Sequence, residues 1–118
     1  MLTFKLTAQS GFTVVHLDGL VFLEAWRAVL ESIADELAKG DAPARLVVDM
    51  RAVGGYLGIP ERTAVGALMA KHFAGTEKVA VVVQAHKITE VVYSEAQRNG
   101  LNLRLFPDWD DAVAWVIS

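Results

Sequence analysis

Two short, nearly continuous apolar runs, Arg45-Leu46-Val47-Val48-Asp49-Met50 and Lys78-Val79-Ala80-Val81-Val82-Val83, restrict the fold of this chain more than any other feature. Both are rich in β-branched residues and neither shows the apolar-polar alternation of a strand with one wet face. Such runs belong to strands covered on both faces, which means central parallel strands in an α/β sheet. The sheet therefore needs helices to cover it, and the intervening segments have to supply them.

They do. Leu2, Phe4 and Leu6 alternate with Thr3, Lys5 and Thr7, and the turn-forming Gln9-Ser10-Gly11 leads into a second strand from Phe12 to Asp18, which predicts an antiparallel hairpin. After Gly19 the period becomes helical: Phe22, Leu23, Trp26, Val29, Leu30, Ile33 and Leu37 share one face, Glu24, Arg27, Glu31 and Asp35 the other, and Lys39-Gly40 ends the helix. Pro60 suits the first residue of a helix running to about Ala74, and Ile88 to Asn99 is a third helical stretch stopped by Gly100. Leu101, Leu103 and Leu105 alternate as in an edge strand. Asp108, with Asp111 three residues on, has the pattern of an N-cap for a last helix carrying Ala112, Trp115 and Val116. The reading is one α/β domain over residues 1–118: an N-terminal β-hairpin, then repeated βα units, giving a mostly parallel five-stranded sheet with about four helices. The pattern leaves open whether the helices cover one face or both.

Composition narrows the function classes. The 11 Lys and Arg against 14 Asp and Glu are scattered and form no basic stripe, so nucleic acid is not an expected partner. Without cysteine there are no disulfides, thiolate metal sites or thiol nucleophiles, which fits a reducing compartment. No apolar run approaches the roughly 20 residues that span a bilayer, and Met1 leads directly into an alternating strand rather than a signal sequence, so the expectation is a cytoplasmic protein with no membrane insertion.

In open α/β sheets ligands bind outside the carboxyl ends of the strands. That rule selects a rim of Asp18, Asp49, Arg51, His86, Lys87 and Trp109. Asp49 and His86 close adjacent central strands and suggest an acid-base pair, yet hydrolysis would also need a nucleophile or a metal. Neither is evident: His16, His72 and His86 lie in different elements without ligand spacing, and no serine stands in a G-x-S-x-G elbow. No catalytic residue, metal or cofactor is assigned. The stretch Val53-Gly54-Gly55-Tyr56-Leu57-Gly58 lies between strand and helix but lacks the spacing and the Gly-Lys-Ser/Thr ending of a phosphate cradle.

The helix after Pro60 is more informative. Val65, Leu68, Met69 and Phe73 make it strongly apolar, Thr63, Ala67, Ala70 and Ala74 add a small-residue stripe, and charge is limited mainly to Glu61, Arg62 and Lys71. Two readings follow. Either this helix, with Gly54, Gly55, Tyr56 and Leu57 before it, is a partner or ligand surface, or it is wedged between neighbours in its own domain. Burial of its apolar residues within the monomer would decide for the wedge. A pocket of a few hundred Å³ beside Tyr56, Leu57, Leu68 and Phe73 would point to a carrier of a small apolar or lipid-like ligand.

Several segments together resemble the SpoIIAA-like group of the STAS superfamily, domains related to anti-sigma-factor antagonists and loosely to CRAL-TRIO lipid-transfer modules. They are the hairpin leading to Leu17-Asp18-Gly19, the strand Leu46 to Arg51, the strand Glu77 to Val82, and above all the ending Leu105-Phe106-Pro107-Asp108-Trp109-Asp110-Asp111-Ala112-Val113-Ala114-Trp115-Val116. The resemblance covers nearly the whole chain and implies a regulatory domain that works through contacts with a protein partner or with a second copy of itself. Signalling members carry a phosphorylatable serine at the entry to the second main helix. Here that region reads Tyr56-Leu57-Gly58-Ile59-Pro60, whose one hydroxyl is the Tyr56 phenol, so the phosphoserine switch does not carry over.

Overall fold

The computed structural model describes residues 2–39, 45–55, 57–85 and 90–118. Strand β1 (Leu2–Gln9) turns at Gly11, whose φ of 88° suits glycine, into β2 (Phe12–Leu20). Then follow α1 (Leu23–Ala38), β3 (Arg45–Gly54), α2 (Ile59–His72), β4 (Lys78–Val82), α3 (Glu90–Arg98), β5 (Leu103–Phe106) and α4 (Trp109–Ile117). The strands lie side by side in chain order, β1-β2-β3-β4-β5, with β1 antiparallel to β2 and every other pair parallel. The α/β reading, the hairpin and the capping aspartate all hold: the Asp108 carboxylate accepts from Asp111 N–H at 3.1 Å.

The helices are divided unequally between the faces. Trp26, Val29, Leu30 and Ile33 of α1, Val65 and Met69 of α2 and Ala96 of α3 share one core with Val15, Leu17, Leu46, Val48, Val79, Val81 and Leu103. The opposite face, Val14, Val47, Ala80 and Val82, is covered by Ala112 and Val116 of α4, with Phe12, Phe106, Trp109 and Trp115 around them. Helix α2 lies between α1 and α3. The α2–α3 crossing is close because residue 66 is glycine: a Cβ there would stand 2.8 Å from both Glu95 Cβ and the Val92 carbonyl oxygen.

One strand departs from expectation. β3 continues past Met50 to Gly54, with Ala52, Val53 and Gly54 pairing with Asp18, Gly19 and Leu20, so part of the glycine stretch read as a loop is sheet. His16 pairs with Asp49 but Asp18 with Ala52, so β3 carries one extra residue opposite Leu17. Such a bulge shifts the alternation of faces by one. Before it, odd-numbered residues such as Val47 face α4; after it, Val53 packs with the three-helix core. Among the described residues no helix is long and apolar enough to cross a membrane.

Candidate functional site

The bulge builds two different surfaces at the carboxyl end of the sheet. On the three-helix side lies a cavity of about 410 Å³. Its floor is the sheet, through Met50, Val53, Val81, Val83 and Leu105; α1 supplies Trp26, α2 supplies Arg62, Val65 and Met69, and α3 supplies Val92. The connections at the mouth add Val21, Gly55 and Leu57. Among the described residues, every wall residue apart from Arg62 and Gly55 is apolar.

The mouth is built by two chain segments held together. Val21 N–H donates to the Gly54 carbonyl at 2.9 Å. Gly55, at φ 99°, brings its backbone so close that a Cβ would sit 3.1 Å from the Val21 carbonyl oxygen. Along both segments inward and outward residues alternate: Val21 and Leu57 line the cavity, whereas Leu20 (60% exposed), Phe22 (54%) and Ile59 (65%) point to solvent. All three stand on or beside the β2–α1 and β3–α2 connections that border the cavity, at the carboxyl end of the sheet, and make up its apolar collar. Phe22, expected on the buried face of the first helix, instead holds its N-cap position in extended backbone. The signal for the collar is Leu20-Val21-Phe22-Leu23, four apolar residues in succession, more than one helix face or one strand face can bury.

The α2 surface reading needs correction. Val65, Met69 and Phe73 are buried, and Leu68 is half-buried against the same core, because α1 and α3 flank the helix and the sheet lies beneath it. Val65 and Met69 contribute to the cavity wall, while Phe73 and Leu68 are packing residues outside it. Of the segment before the helix, Gly55 and Leu57 reach the cavity, Gly54 ends β3, and Tyr56 lies outside the described residues.

The second surface faces α4 and is polar. Asp49 accepts from Arg51 three times: from Nε at 2.9 Å, from Nη2 at 3.0 Å and from the backbone N–H at 3.1 Å. His16 Nδ1 stands 3.5 Å from Asp49 Oδ2, the oxygen that also accepts from Arg51 Nη2. The Arg51 guanidinium lies over Trp109, 5.2 Å from its ring centre, and Gln84 Nε2 donates to the Arg51 carbonyl at 3.1 Å. Burial raises the Asp49 pKa, but the hydrogen bonds and charge of Arg51, helped by His16, outweigh it and hold the carboxyl below its ordinary range. A carboxylate engaged in this way is a poor proton acceptor. Asp18 is exposed, and its carbonyl accepts from Thr3 Oγ1 at 3.4 Å. His86 and Lys87 lie outside the described residues, so the expected Asp49–His86 pair is not placed; among the described residues the histidine beside Asp49 is His16.

No family model matches the sequence, and neither does any curated protein. Solved structures do. An anti-sigma factor antagonist from Mycobacterium paratuberculosis superposes with a TM-score of 0.71 at 22% identity, covering 100% of this chain and 96% of that one. An uncharacterized protein from Shewanella loihica PV-4, described as having a SpoIIAA-like fold, superposes with a TM-score of 0.62 at 15% identity over 98% of this chain and 93% of its own. At nearly complete coverage of all three chains, the architecture built above is a SpoIIAA-like fold.

Proposed function

We propose that this chain is a non-catalytic regulatory domain that docks a protein partner on the collar of Leu20, Phe22 and Ile59. The collar itself carries the reading: three large apolar side chains, each more than half exposed, on the connections at the carboxyl end of the sheet. Isolated exposed apolar residues are ordinary, but a cluster at the mouth of a cavity is the usual mark of a binding surface. The shared fold with an anti-sigma factor antagonist supports a partner that is a protein. With no serine or threonine between Gly54 and Pro60, the docking is constant rather than switched by a phosphate at the entry to α2.

The test is a double substitution, Phe22→Asp with Ile59→Asp. Both side chains are exposed, so the melting temperature stays close to that of the parent. The binding of a partner identified by cross-linking in the host, and then reconstituted from purified components, falls by about 100-fold or more, as when two central apolar anchors are removed. Undiminished binding by the double variant overturns the reading, and so does a parent chain that cross-links to no protein. A cross-link to a second copy identifies the partner as self.

A second reading, a carrier of a small apolar ligand, is favoured by the cavity behind the collar. Its volume lies in the range of small-molecule sites and its wall is apolar.

A further inference from the structure

We infer that two copies of this chain join edge to edge through β1, in one antiparallel register that sets Leu6 of one copy against Leu6 of the other and makes their sheets continuous. This surface is separate from the collar, so the inference goes beyond the regulatory reading and stands without it.

The edge is open and regular. β1 ends the sheet, and among the described residues its backbone pairs with β2 and with no other element. It runs in unbroken register from Leu2 opposite Gly19 to Gln9 opposite Phe12, without bulge or proline, and Lys5 is its one charge. Native edge strands are usually blunted by shortness, bulges, proline or charge. The far edge is blunted in this way, since β5 has only 4 residues against the 8 of β1. The hairpin also decides which backbone groups are free. Its two-residue turn, Ser10 and Gly11, is closed by Gln9 and Phe12, which exchange both hydrogen bonds. Counting back by twos, Thr7, Lys5 and Thr3 bond to β2, so the N–H and C=O of Leu2, Phe4, Leu6 and Ala8 point outward.

The side chains choose the occupant and the register. A two-fold antiparallel pair must match outward-bonding residues with one another, and two such registers use nearly the whole strand. One pairs Leu2 with Ala8 and centres on Lys5, which sets the ammonium groups of the two copies face to face; like charges directly opposite are destabilising. The other centres on Leu6 and pairs Phe4 with Ala8, Lys5 with Thr7 and Thr3 with Gln9. No like charges meet there, and each large ring faces a small side chain. Phe4 and Leu6 are only half-buried in the single chain, on the core face that α1 packs over, and the facing strand gives both further cover. The strand is thus complementary to itself, which favours a second copy over an unrelated peptide. The two-fold reverses the strand direction between copies, so the two collars point away from each other.

The experiment is sedimentation velocity of the whole chain from about 1 µM to about 1 mM at low salt, a range that spans small, weak interfaces, with amide hydrogen exchange followed by NMR over the same concentrations. The parent sediments as a monomer at the low end and as a dimer at the high end. Exchange at Phe4, Leu6 and Ala8 slows with concentration, while Thr3, Lys5 and Thr7, already bonded to β2, do not change. Thr7→Glu places a carboxylate beside Lys5 of the other copy at both ends of the pair and tightens Kd by about threefold or more. Thr7→Lys weakens it by about as much, and both differences shrink in about 0.5 M salt. A parent that stays monomeric through the whole range overturns the inference. Association that leaves exchange at Phe4, Leu6 and Ala8 unchanged, or that Thr7→Glu and Thr7→Lys shift in the same direction, overturns it too, and places the contact elsewhere, the collar included. The exchange measurement needs only the parent, so it tests the edge even where a variant fails to fold.

Discussion

Asp49 and Gly66 show how much of this fold is decided by single atoms. The Asp49 carboxyl titrates below its ordinary value in the folded chain, so its pairing with Arg51 stabilises the protein above the unfolded carboxyl pKa of about 3.9 and ceases to do so as pH falls through the folded value. Asp49→Asn should cost at most about 1 kcal/mol at pH 7, since Arg51 is half exposed and screened by solvent. That difference from the parent shrinks below about pH 4, which urea midpoints at pH 7 and pH 3 will resolve. Gly66→Ala is the sharper test. The added methyl meets the Val92 carbonyl and the Glu95 Cβ, neither of which can swing away, so α2 and α3 must separate. A loss of about 1–3 kcal/mol is expected from the same urea titration. Neither residue betrays its role in sequence. A glycine inside a helical pattern reads as a mild defect until the partner helix is seen, and Asp49 reads as a strand-end carboxylate until Arg51 folds back on it.

At the scale of elements, periodicity located every helix and strand, while burial was legible for some and not for others. Helix α2 is poor in charge because it is wedged, and a sparsely charged helix on a docking face would have had the same composition; only the positions of α1 and α3 separate the two. The continuation of β3 was hidden for a related reason. Its last residues become sheet by pairing with Asp18 to Leu20, across a bulge that no local pattern encodes. Helix α4 is the opposite case, since its cap is written in the spacing of Asp108 and Asp111 and is made as written. Asp108→Ala should lower stability by about 1 kcal/mol, and because Trp109 and Trp115 pack beside the core under α4, the near-ultraviolet dichroism should weaken first at this end.

For the whole molecule, alternating strands and helices announced the fold class, but the distribution of helices depended on strand order, which periodicity does not contain. Each crossover from β2 onward steps to the next strand in the same direction, so crossovers of one hand place α1, α2 and α3 on one face together. The cavity was illegible for a similar reason: Val21, Trp26, Val81 and Leu105 are indistinguishable in sequence from residues that fill a core, and they become a wall only where three helices fail to close over the end of the sheet. One consequence concerns the birth of the protein rather than its finished form. The face made of Val14, Val47, Ala80 and Val82 is roofed by α4, which follows in the chain everything that it covers. A ribosome therefore displays a finished, three-helix-backed sheet with one greasy side open until residues beyond Asp108 have emerged, an interval in which a chaperone would find its target.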